Sequence, residues 1–176
     1  MALLEMKEVG RYFDGLVAVD GLSFSLNKGT MASLIGPNGA GKTTVFNIIS
    51  GLIAPQSGDV YFDDEVITGL PPHKIALEGI GRTFQDVRIF PQMTALENVM
   101  LAPPHQTGEG LLWSLLQTRS VRDEQEKLRQ KSLKHLRLVG LVKKQNESAK
   151  NLSHGQRKLL EMAGALAMEP DQLLLD

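Results

Sequence analysis

A glycine-rich segment in the first third of this 176-residue chain carries its strongest chemical signal. Gly36-Pro37-Asn38-Gly39-Ala40-Gly41-Lys42-Thr43 fits the pattern G-x-x-x-x-G-K-[ST], and Thr44 follows it. Glycines let backbone N–H groups approach an anion closely, because no side chain stands between them. A lysine at this position reaches the β- and γ-phosphates of a nucleotide, and the hydroxyl of Thr43 is a ligand for Mg²⁺. The segment therefore predicts a site for ATP and Mg²⁺, in which Lys42 acts catalytically.

The residues on either side of this segment predict the elements that position it. Residues 31–35 (Met-Ala-Ser-Leu-Ile) predict a short apolar strand that leads into the loop. Thr43 to Ser50 predict a helix that Gly51 ends. The inward-facing residues of this helix are predicted to be Val45, Phe46, Ile48 and Ile49. The N-terminus of such a helix carries partial positive charge and would point at the bound phosphates.

The segments before and after this unit predict β-structure. Residues 2–30 are predicted to be β-structure, because apolar residues at 22, 24 and 26 alternate with polar ones. Asn27-Lys28-Gly29 predicts a turn. Residues 60–67 predict a hairpin whose turn is Asp63-Asp64.

The second half of the chain predicts two helices and a strand. Residues 120–139 predict one long helix, with an inner stripe of Leu128, Ser132, Leu136 and Val139. Ser153 and Gln156 have the spacing of a capping box, so a second helix begins there and ends before Pro170. Its predicted inner residues are Leu159, Leu160, Ala163, Leu166 and Ala167. Leu173–Leu175 predict a buried strand that ends at Asp176.

Composition excludes several classes of protein. There is no cysteine, so disulfide frameworks and thiolate metal sites are excluded. The formal net charge is −1, which gives no overall attraction to nucleic acid, and we expect no nucleic-acid partner. No run of about 18 apolar residues occurs, so we expect a soluble chain that reaches a membrane only by docking onto another protein.

Three further segments carry a family resemblance. Leu152-Ser153-His154-Gly155-Gln156 resembles the LSGGQ signature of ABC-transporter ATPases, with His154 in place of the usual glycine. Thr83-Phe84-Gln85 resembles their Q-loop, and Leu173-Leu174-Leu175-Asp176 resembles their Walker B strand. The resemblance covers the whole chain and implies an α/β fold, that of a P-loop NTPase of the ABC type. It implies a single domain with an antiparallel N-terminal β part, a core of residues 1–85 and 152–176, and a helical subdomain at 86–151.

The resemblance also implies residue roles. Two such subunits sandwich ATP head to tail, so Ser153, Gly155 and Gln156 would face the γ-phosphate held by a partner subunit. Gln85 would act catalytically by contacting Mg²⁺ or the attacking water. Asp176 would hold the hydration shell of Mg²⁺, as a hard oxygen ligand does. An aromatic residue would stack on adenine: Phe13 aligns best, Tyr12 is the alternative, and either could instead belong to the core.

Residues 79–99 and 110–113 are similar to the ATPase subunits of branched-chain amino-acid importers. That similarity implies a peripheral protein on the cytoplasmic face of the inner or plasma membrane, with integral membrane permease subunits docked on about residues 86–116. The apolar members of this region could equally be ordinary core: Ile89, Phe90, Leu111, Leu112 and Trp113. Urea or amide importers and lipopolysaccharide exporters have related ATPases, so the cargo stays open.

The family's catalytic glutamate directly follows the Walker B aspartate, and a histidine that contacts the γ-phosphate lies further on. Both would fall beyond Asp176. We therefore expect a chain that is C-terminally truncated after this residue and hydrolyses ATP poorly by itself. The alternatives are a non-catalytic ATP-binding fragment and a soluble ABC-type ATPase that acts on DNA or the ribosome. No coiled-coil or tandem-domain insertion of the kind usual in the last class is present.

Overall fold

The computed structural model of the chain describes residues 2–104 and 119–176, and the side chains of 119–121 are outside that description. The chain forms two compact units, which we describe separately. The first contains residues 1–80 together with Asp176, and the second contains residues 81–175. The domain division predicted at residues 85 and 151 stays a prediction.

The first unit is built on a four-stranded antiparallel sheet in the order β2-β1-β3-β4. Its strands are β1 (Ala2–Phe13), β2 (Leu16–Asn27), β3 (Ser57–Phe62) and β4 (Glu65–Val66). Met6 of β1 lies opposite Phe24 of β2 and Val60 of β3, which fixes the register of the central strand. The predicted β-structure at 2–30 and the predicted hairpin at 60–67 are confirmed.

A two-residue turn connects the two strands of each hairpin in this sheet. Asp14 and Gly15 have φ angles of 42° and 88°, and Asp63 and Asp64 have φ angles of 49° and 65°. Turns with both central residues at positive φ match the right-handed twist of the flanking strands. The chain therefore reverses tightly between β1 and β2, and this hairpin end lies beside the predicted nucleotide loop.

The first unit has two helices, α1 (Lys42–Ile49) and α2 (Pro72–Leu77). Val45, Ile48 and Ile49 of α1 are buried as predicted, whereas Phe46 is only partly buried. Gly51 ends α1: it has a φ of 70°, and its N–H donates to the carbonyl of Ile48 at 3.0 Å. A side chain there would meet the carbonyl oxygen of Leu70 at 2.4 Å, so both geometry and space require glycine.

The strand predicted at residues 31–35 is wrong for this structure. The segment is irregular, and the side chains of Met31 and Ile35 are 99% and 90% exposed. An apolar run becomes a strand only when neighbouring strands accept and donate its backbone hydrogen bonds. Within residues 2–104 and 119–176, no strand pairs with it.

In its described residues, the second unit combines a two-stranded sheet with three helices. Strands β5 (Ile80–Arg82) and β6 (Gln172–Leu174) pair, and the N–H of Thr83 donates to the carbonyl of Leu174 at 3.0 Å. The helices are α3 (Ala95–Met100), α4 (Arg119–Leu138) and α5 (His154–Ala167), with short 3-10 helices at Val142–Lys144 and Ala149–Asn151. The three helices pack on one another around a core that includes Val99, Leu136, Leu152, Leu160 and Ala163.

Both predicted helices of this unit are confirmed, but the predicted burial is wrong at Leu159 of the second helix and at Leu175 of the predicted strand. Leu159 is 40% exposed, because it lies about 100° around the helix axis from buried Leu160 and falls at the edge of the inner stripe. Leu175 is 54% exposed, whereas Leu174 is buried. The strand β6 ends at Leu174, so Leu175 lies beyond it and only Leu174 of this pair is buried. Within the described residues, no helix is long and apolar enough to cross a membrane.

Candidate nucleotide site

The glycine-rich loop curls into the N-terminus of α1. Gly41 is the N-cap residue with φ 81° and ψ 4°, in the left-handed region, and its carbonyl accepts the N–H of Val45 at 2.9 Å. Further back, the N–H of Ala40 donates to the carbonyl of Pro37 at 3.2 Å. The first backbone N–H groups of a helix have no intrahelical acceptor. The loop therefore ends at backbone N–H groups that can donate hydrogen bonds to an anion.

Two glycines of this loop serve different purposes. A Cβ on Gly41 would lie 2.1 Å from the carbonyl oxygen of Ala18 in β2, far inside contact distance. Gly39 also has positive φ, at 84°, but a Cβ there would meet nothing within 4 Å. Gly41 therefore allows the loop to pack directly against β2, whereas Gly39 only allows the turn.

The side chain of Lys42 lies inside the curve of the loop. Its Nζ donates to the carbonyls of Gly36 and Pro37, at 2.8 Å and 2.7 Å. The ammonium group thus joins the two ends of the loop and places a positive charge beside the α1 N-terminus. Next to it, Thr43 is exposed and Thr44 is half-buried, so the Thr43 hydroxyl is open to a ligand.

The two aromatic candidates end β1 at the hairpin next to this loop. Tyr12 pairs with Val17 of β2, the neighbour of Ala18, which contacts Gly41. The Tyr12 hydroxyl donates to Oδ1 of Asp20 at 2.8 Å, and this bond raises the pKa of the phenol. Phe13 is 36% exposed, and the guanidinium of Arg11 lies 4.7 Å from its ring centre.

In the second unit, the segment that carries Gln85 is held by neighbours on both sides. The centre of the Phe84 ring lies 5.0 Å from the guanidinium of Arg82 and 4.1 Å from that of Arg88. The backbone N–H groups of Phe84 and Arg88 both donate to Oε1 of Glu161 on α5, at 3.2 Å and 3.3 Å. Gln85 itself is exposed between these two anchors.

The predicted capping box at the start of α5 is confirmed. The Gln156 N–H donates to Oγ of Ser153 at 3.3 Å, and the Ser153 N–H donates to Oε1 of Gln156 at 3.0 Å. His154 and Gly155 are exposed, and a Cβ on Gly155 would meet nothing within 4 Å. The start of α5 therefore presents a small, open surface of the kind that an anion can approach.

Comparison with known proteins decides the family. The model of the ABC transporter family matches residues 19–176. The chain belongs to the ABC transporter family. It is 40% identical to the high-affinity branched-chain amino acid transport ATP-binding protein LivG of Escherichia coli K12, over 99% of this chain and 68% of that protein. BraF of Pseudomonas aeruginosa, which carries the same description, is also 40% identical with the same coverage.

Solved structures of ABC cassettes share the fold. The crystal structure of a nucleotide-free ATP-binding cassette from an ABC transporter has a TM-score of 0.79 and 36% identity, covering 100% of this chain and 69% of that one. The ADP conformation of the cassette MJ1267 has a TM-score of 0.76 and 35% identity, covering 98% of this chain and 67% of that one. The predicted ABC ATPase family and the α/β P-loop NTPase fold are confirmed.

The predicted ABC site residues fall into two groups. The loop at 36–44, Tyr12, Phe13 and Asp176 belong to the first unit. Gln85 and the signature segment 152–156 belong to the second, where α5 carries the signature at its N-terminus and Glu161 farther along. The roles of all these residues toward nucleotide stay predictions.

Sequence reasoning missed Glu161. Its contacts with Phe84 and Arg88 span 77 and 73 residues, and a single glutamate in an amphipathic helix is ordinary in any sequence. No local pattern could have pointed to it. The carbonyl contacts of Lys42 were also missed, because the sequence motif assigns that side chain only to the nucleotide.

Proposed function

We propose that this chain is the ATP-binding subunit of a transporter that imports branched-chain amino acids, and that it couples ATP binding and hydrolysis to transport. The observation that carries the proposal is the 40% identity to LivG and BraF over 99% of the chain. The loop that holds Lys42 and the signature segment capped by Ser153 supply the phosphate-binding groups that such a subunit needs. Import of another cargo by a related transporter is the alternative.

The triphosphate of ATP binds on the loop at 36–44. Lys42 meets the β- and γ-phosphates with its ammonium group, and the N-terminus of α1 adds N–H donors and partial positive charge. In the described residues, no group of three or more His, Cys, Asp or Glu side chains could hold a metal. This fits Mg²⁺, which keeps several waters and binds through phosphates and one or two protein oxygens. Thr43, Asp176 and Gln85 are the proposed oxygen ligands.

Hydrolysis by such a site depends mainly on position and electrostatics. The Lys42 charge stabilises negative charge that builds up on the phosphate oxygens. The Gln85 amide orients the attacking water or contacts Mg²⁺. Mg²⁺ neutralises phosphate charge when it is bound. These roles rest on the family pattern, on the place of the Lys42 ammonium within the loop and on the exposure of Gln85.

We propose that Phe13, rather than Tyr12, stacks on adenine. The two rings are similarly exposed, at 39% for Tyr12 and 36% for Phe13, but the Tyr12 hydroxyl is hydrogen-bonded to Asp20, whereas Phe13 has only the Arg11 guanidinium near its ring. Phe13→Leu should lower ATP affinity by about tenfold, because base stacking on an aromatic ring contributes about 1–3 kcal/mol. Tyr12→Leu, titrated in the same way by fluorescence, should change affinity little. The reverse result would assign the stacking to Tyr12.

We propose that the start of α5 completes the ATP site of a second ATP-binding subunit, head to tail, through Ser153, Gly155 and Gln156. The substitution Ser153→Asp distinguishes this contact with ATP from the role of Ser153 as a helix cap. Aspartate caps a helix as well as serine does, so thermal stability should hold within about 0.5 kcal/mol. The added negative charge should repel the γ-phosphate of the partner's ATP and abolish dimer formation with a non-hydrolysable ATP analogue.

Sedimentation velocity measures this dimer, and Ser153→Thr is the matched control, because threonine keeps a capping hydroxyl without adding charge. We expect Ser153→Thr to dimerise in the presence of the analogue. Dimers of Ser153→Asp as stable as those of the unmodified chain would contradict the proposed sandwich.

The membrane-subunit contact is proposed for about residues 86–116, of which 105–116 lie outside the described residues. In the described part, Phe90 is 60% exposed and Leu101 is 47% exposed. They border a groove of about 200 Å³ whose lining also includes apolar Leu160 and charged Arg88 and Glu161. We assign this groove to a helix end of an integral permease subunit, so that the chain sits peripherally on the cytoplasmic face of the membrane.

Co-purification and uptake test the proposal. The tagged chain, expressed in its native organism, should bring down an integral membrane protein from detergent-solubilised membranes. Membrane vesicles that contain this complex should take up labelled leucine in an ATP-dependent way. Co-purification without leucine uptake would overturn the assigned cargo and leave the transporter subunit standing. Association only with ribosomes or DNA would overturn the transporter role itself.

A further inference from the structure

We propose that Glu161 is a positioning residue that fixes the Gln85 segment to the helix carrying the signature sequence. The inference rests on the proposed function, since the role of Gln85 toward nucleotide belongs to it. Glu161 itself contacts no nucleotide in this proposal. It acts only through the backbone of residues 84–88.

A single carboxylate oxygen makes both contacts. Oε1 of Glu161 accepts the N–H of Phe84 at 3.2 Å and the N–H of Arg88 at 3.3 Å. The two donors are four residues apart, so their common acceptor closes residues 84–88 into a small loop. Gln85 lies within that loop and is exposed. Its backbone therefore has little freedom to move independently of Glu161.

The Phe84 end of the loop is also held by its side chain. The guanidinium groups of Arg82 and Arg88 both contact the Phe84 ring, and cation–π contacts of this kind hold an aromatic ring in place. Arg88 thus contributes twice, with its N–H on Glu161 and its side chain on Phe84. These contacts define the position of the residue next to Phe84, which is Gln85.

Glu161 is not needed to pack α5 into its core. The buried residues of this helix are Leu160, Ala163, Ala165 and Ala167, and all but Ala165 belong to the cluster shared with α3 and α4. Glu161 is only half-buried, and its carboxylate accepts hydrogen bonds from the two backbone N–H groups of Phe84 and Arg88. Its carboxylate therefore serves the loop at 84–88 rather than the helical core.

The consequence is mechanical coupling along α5. Ser153 begins the helix and Glu161 lies eight residues later, about 12 Å along its axis at 1.5 Å per residue. A short helix segment of this length moves as a rigid rod. A shift of the signature end, when it meets ATP on a partner subunit, therefore moves Gln85 as well. Glu161 makes the position of Gln85 depend on the signature helix.

Amide hydrogen exchange tests this. In Glu161→Ala, the peptide covering residues 84–88 should exchange about tenfold faster, because hydrogen bonds to a charged acceptor contribute about 1.5–3 kcal/mol each. Exchange in α3 and α5 should stay unchanged. Addition of ATP and Mg²⁺ should protect residues 84–88 in the unmodified chain and fail to do so in the variant.

Two further variants make the result specific. Glu161→Gln keeps an acceptor oxygen at the same distance and should restore most of the protection. Glu126→Ala, an exposed glutamate on α4 whose partners Arg129 and Gln130 lie on the same helix, should leave residues 84–88 unchanged. Exchange at 84–88 unaltered by Glu161→Ala, or accelerated equally throughout α3 and α5, would overturn the proposal. So would a Glu161→Gln variant as unprotected as Glu161→Ala.

The affinity for ATP is measured on the same samples. It should change less than about twofold in Glu161→Ala, since the phosphate loop belongs to the other unit. Failure of the unmodified chain to bind ATP would count against the proposed function. Failure of Glu161→Ala to loosen residues 84–88 counts only against this inference.

Discussion

Lys42→Ala is expected to weaken ATP binding by about 10- to 100-fold. Its ammonium lies within the loop, on the carbonyls of Gly36 and Pro37, and is positioned to meet the phosphates. A hydrogen bond to a charged group contributes about 1.5–3 kcal/mol, and each 1.4 kcal/mol is a tenfold change in affinity. Isothermal titration with ATP in the presence of Mg²⁺ measures the loss.

The same variant should change the stability of the ATP-free chain little. Without the lysine, the carbonyl oxygens of Gly36 and Pro37 can accept hydrogen bonds from water, because Pro37 is exposed and Gly36 is only partly buried. A thermal melt without nucleotide therefore separates the loss of a ligand contact from loss of the fold. Lys127→Ala, which removes an exposed lysine from α4, is the matched control and should bind ATP normally. Normal ATP affinity in Lys42→Ala would contradict the assignment of the loop.

Gly41→Ala should have the second large effect, on both folding and binding. The new Cβ would lie 2.1 Å from the carbonyl oxygen of Ala18, at a φ of 81° that L-residues avoid. Left-handed backbone costs about 1–2 kcal/mol and overpacking about 1–3 kcal/mol, so the free energy of unfolding should fall by roughly 2–5 kcal/mol. For a chain of this size, that lowers the melting temperature by roughly 5–15 °C.

Gly39→Ala is the matched control, because it combines a similar φ of 84° with open space. Gly39→Ala should lower the free energy of unfolding only by the cost of left-handed backbone, about 1–2 kcal/mol. Calorimetry of both variants compares the two costs directly. Equal destabilisation by Gly39→Ala and Gly41→Ala would show that the packing against Ala18 contributes nothing.

Local chemistry explains which elements could be predicted. Each confirmed element has its cause within a few residues: two consecutive aspartates at the turn 63–64, a serine and glutamine three apart at 153 and 156, and a glycine at 51 that ends α1. Hairpin turns, capping boxes and C-terminal glycines are decided by the nearest backbone groups. The sequence is therefore sufficient for them.

The predictions that the structure contradicts share a different cause. Residues 31–35 have the composition of a strand, but a strand exists only where other strands accept its backbone hydrogen bonds. Leu159 and Leu175 are as apolar as their neighbours, yet each is substantially exposed. The rotation of α5 about its axis decides the burial of Leu159, and the end of β6 at Leu174 decides that of Leu175; both depend on what packs alongside.

The sequence by itself determined the family, the phosphate loop at 36–43, and the cap at Ser153, because each is a pattern of adjacent residues with its own chemistry. Only the tertiary structure decided that Ala18 requires a glycine at position 41. It also decided that Glu161 holds the backbone around Gln85. Those contacts join residues 23 to 77 positions apart, and their energy depends on how the chain folds back on itself rather than on any local pattern.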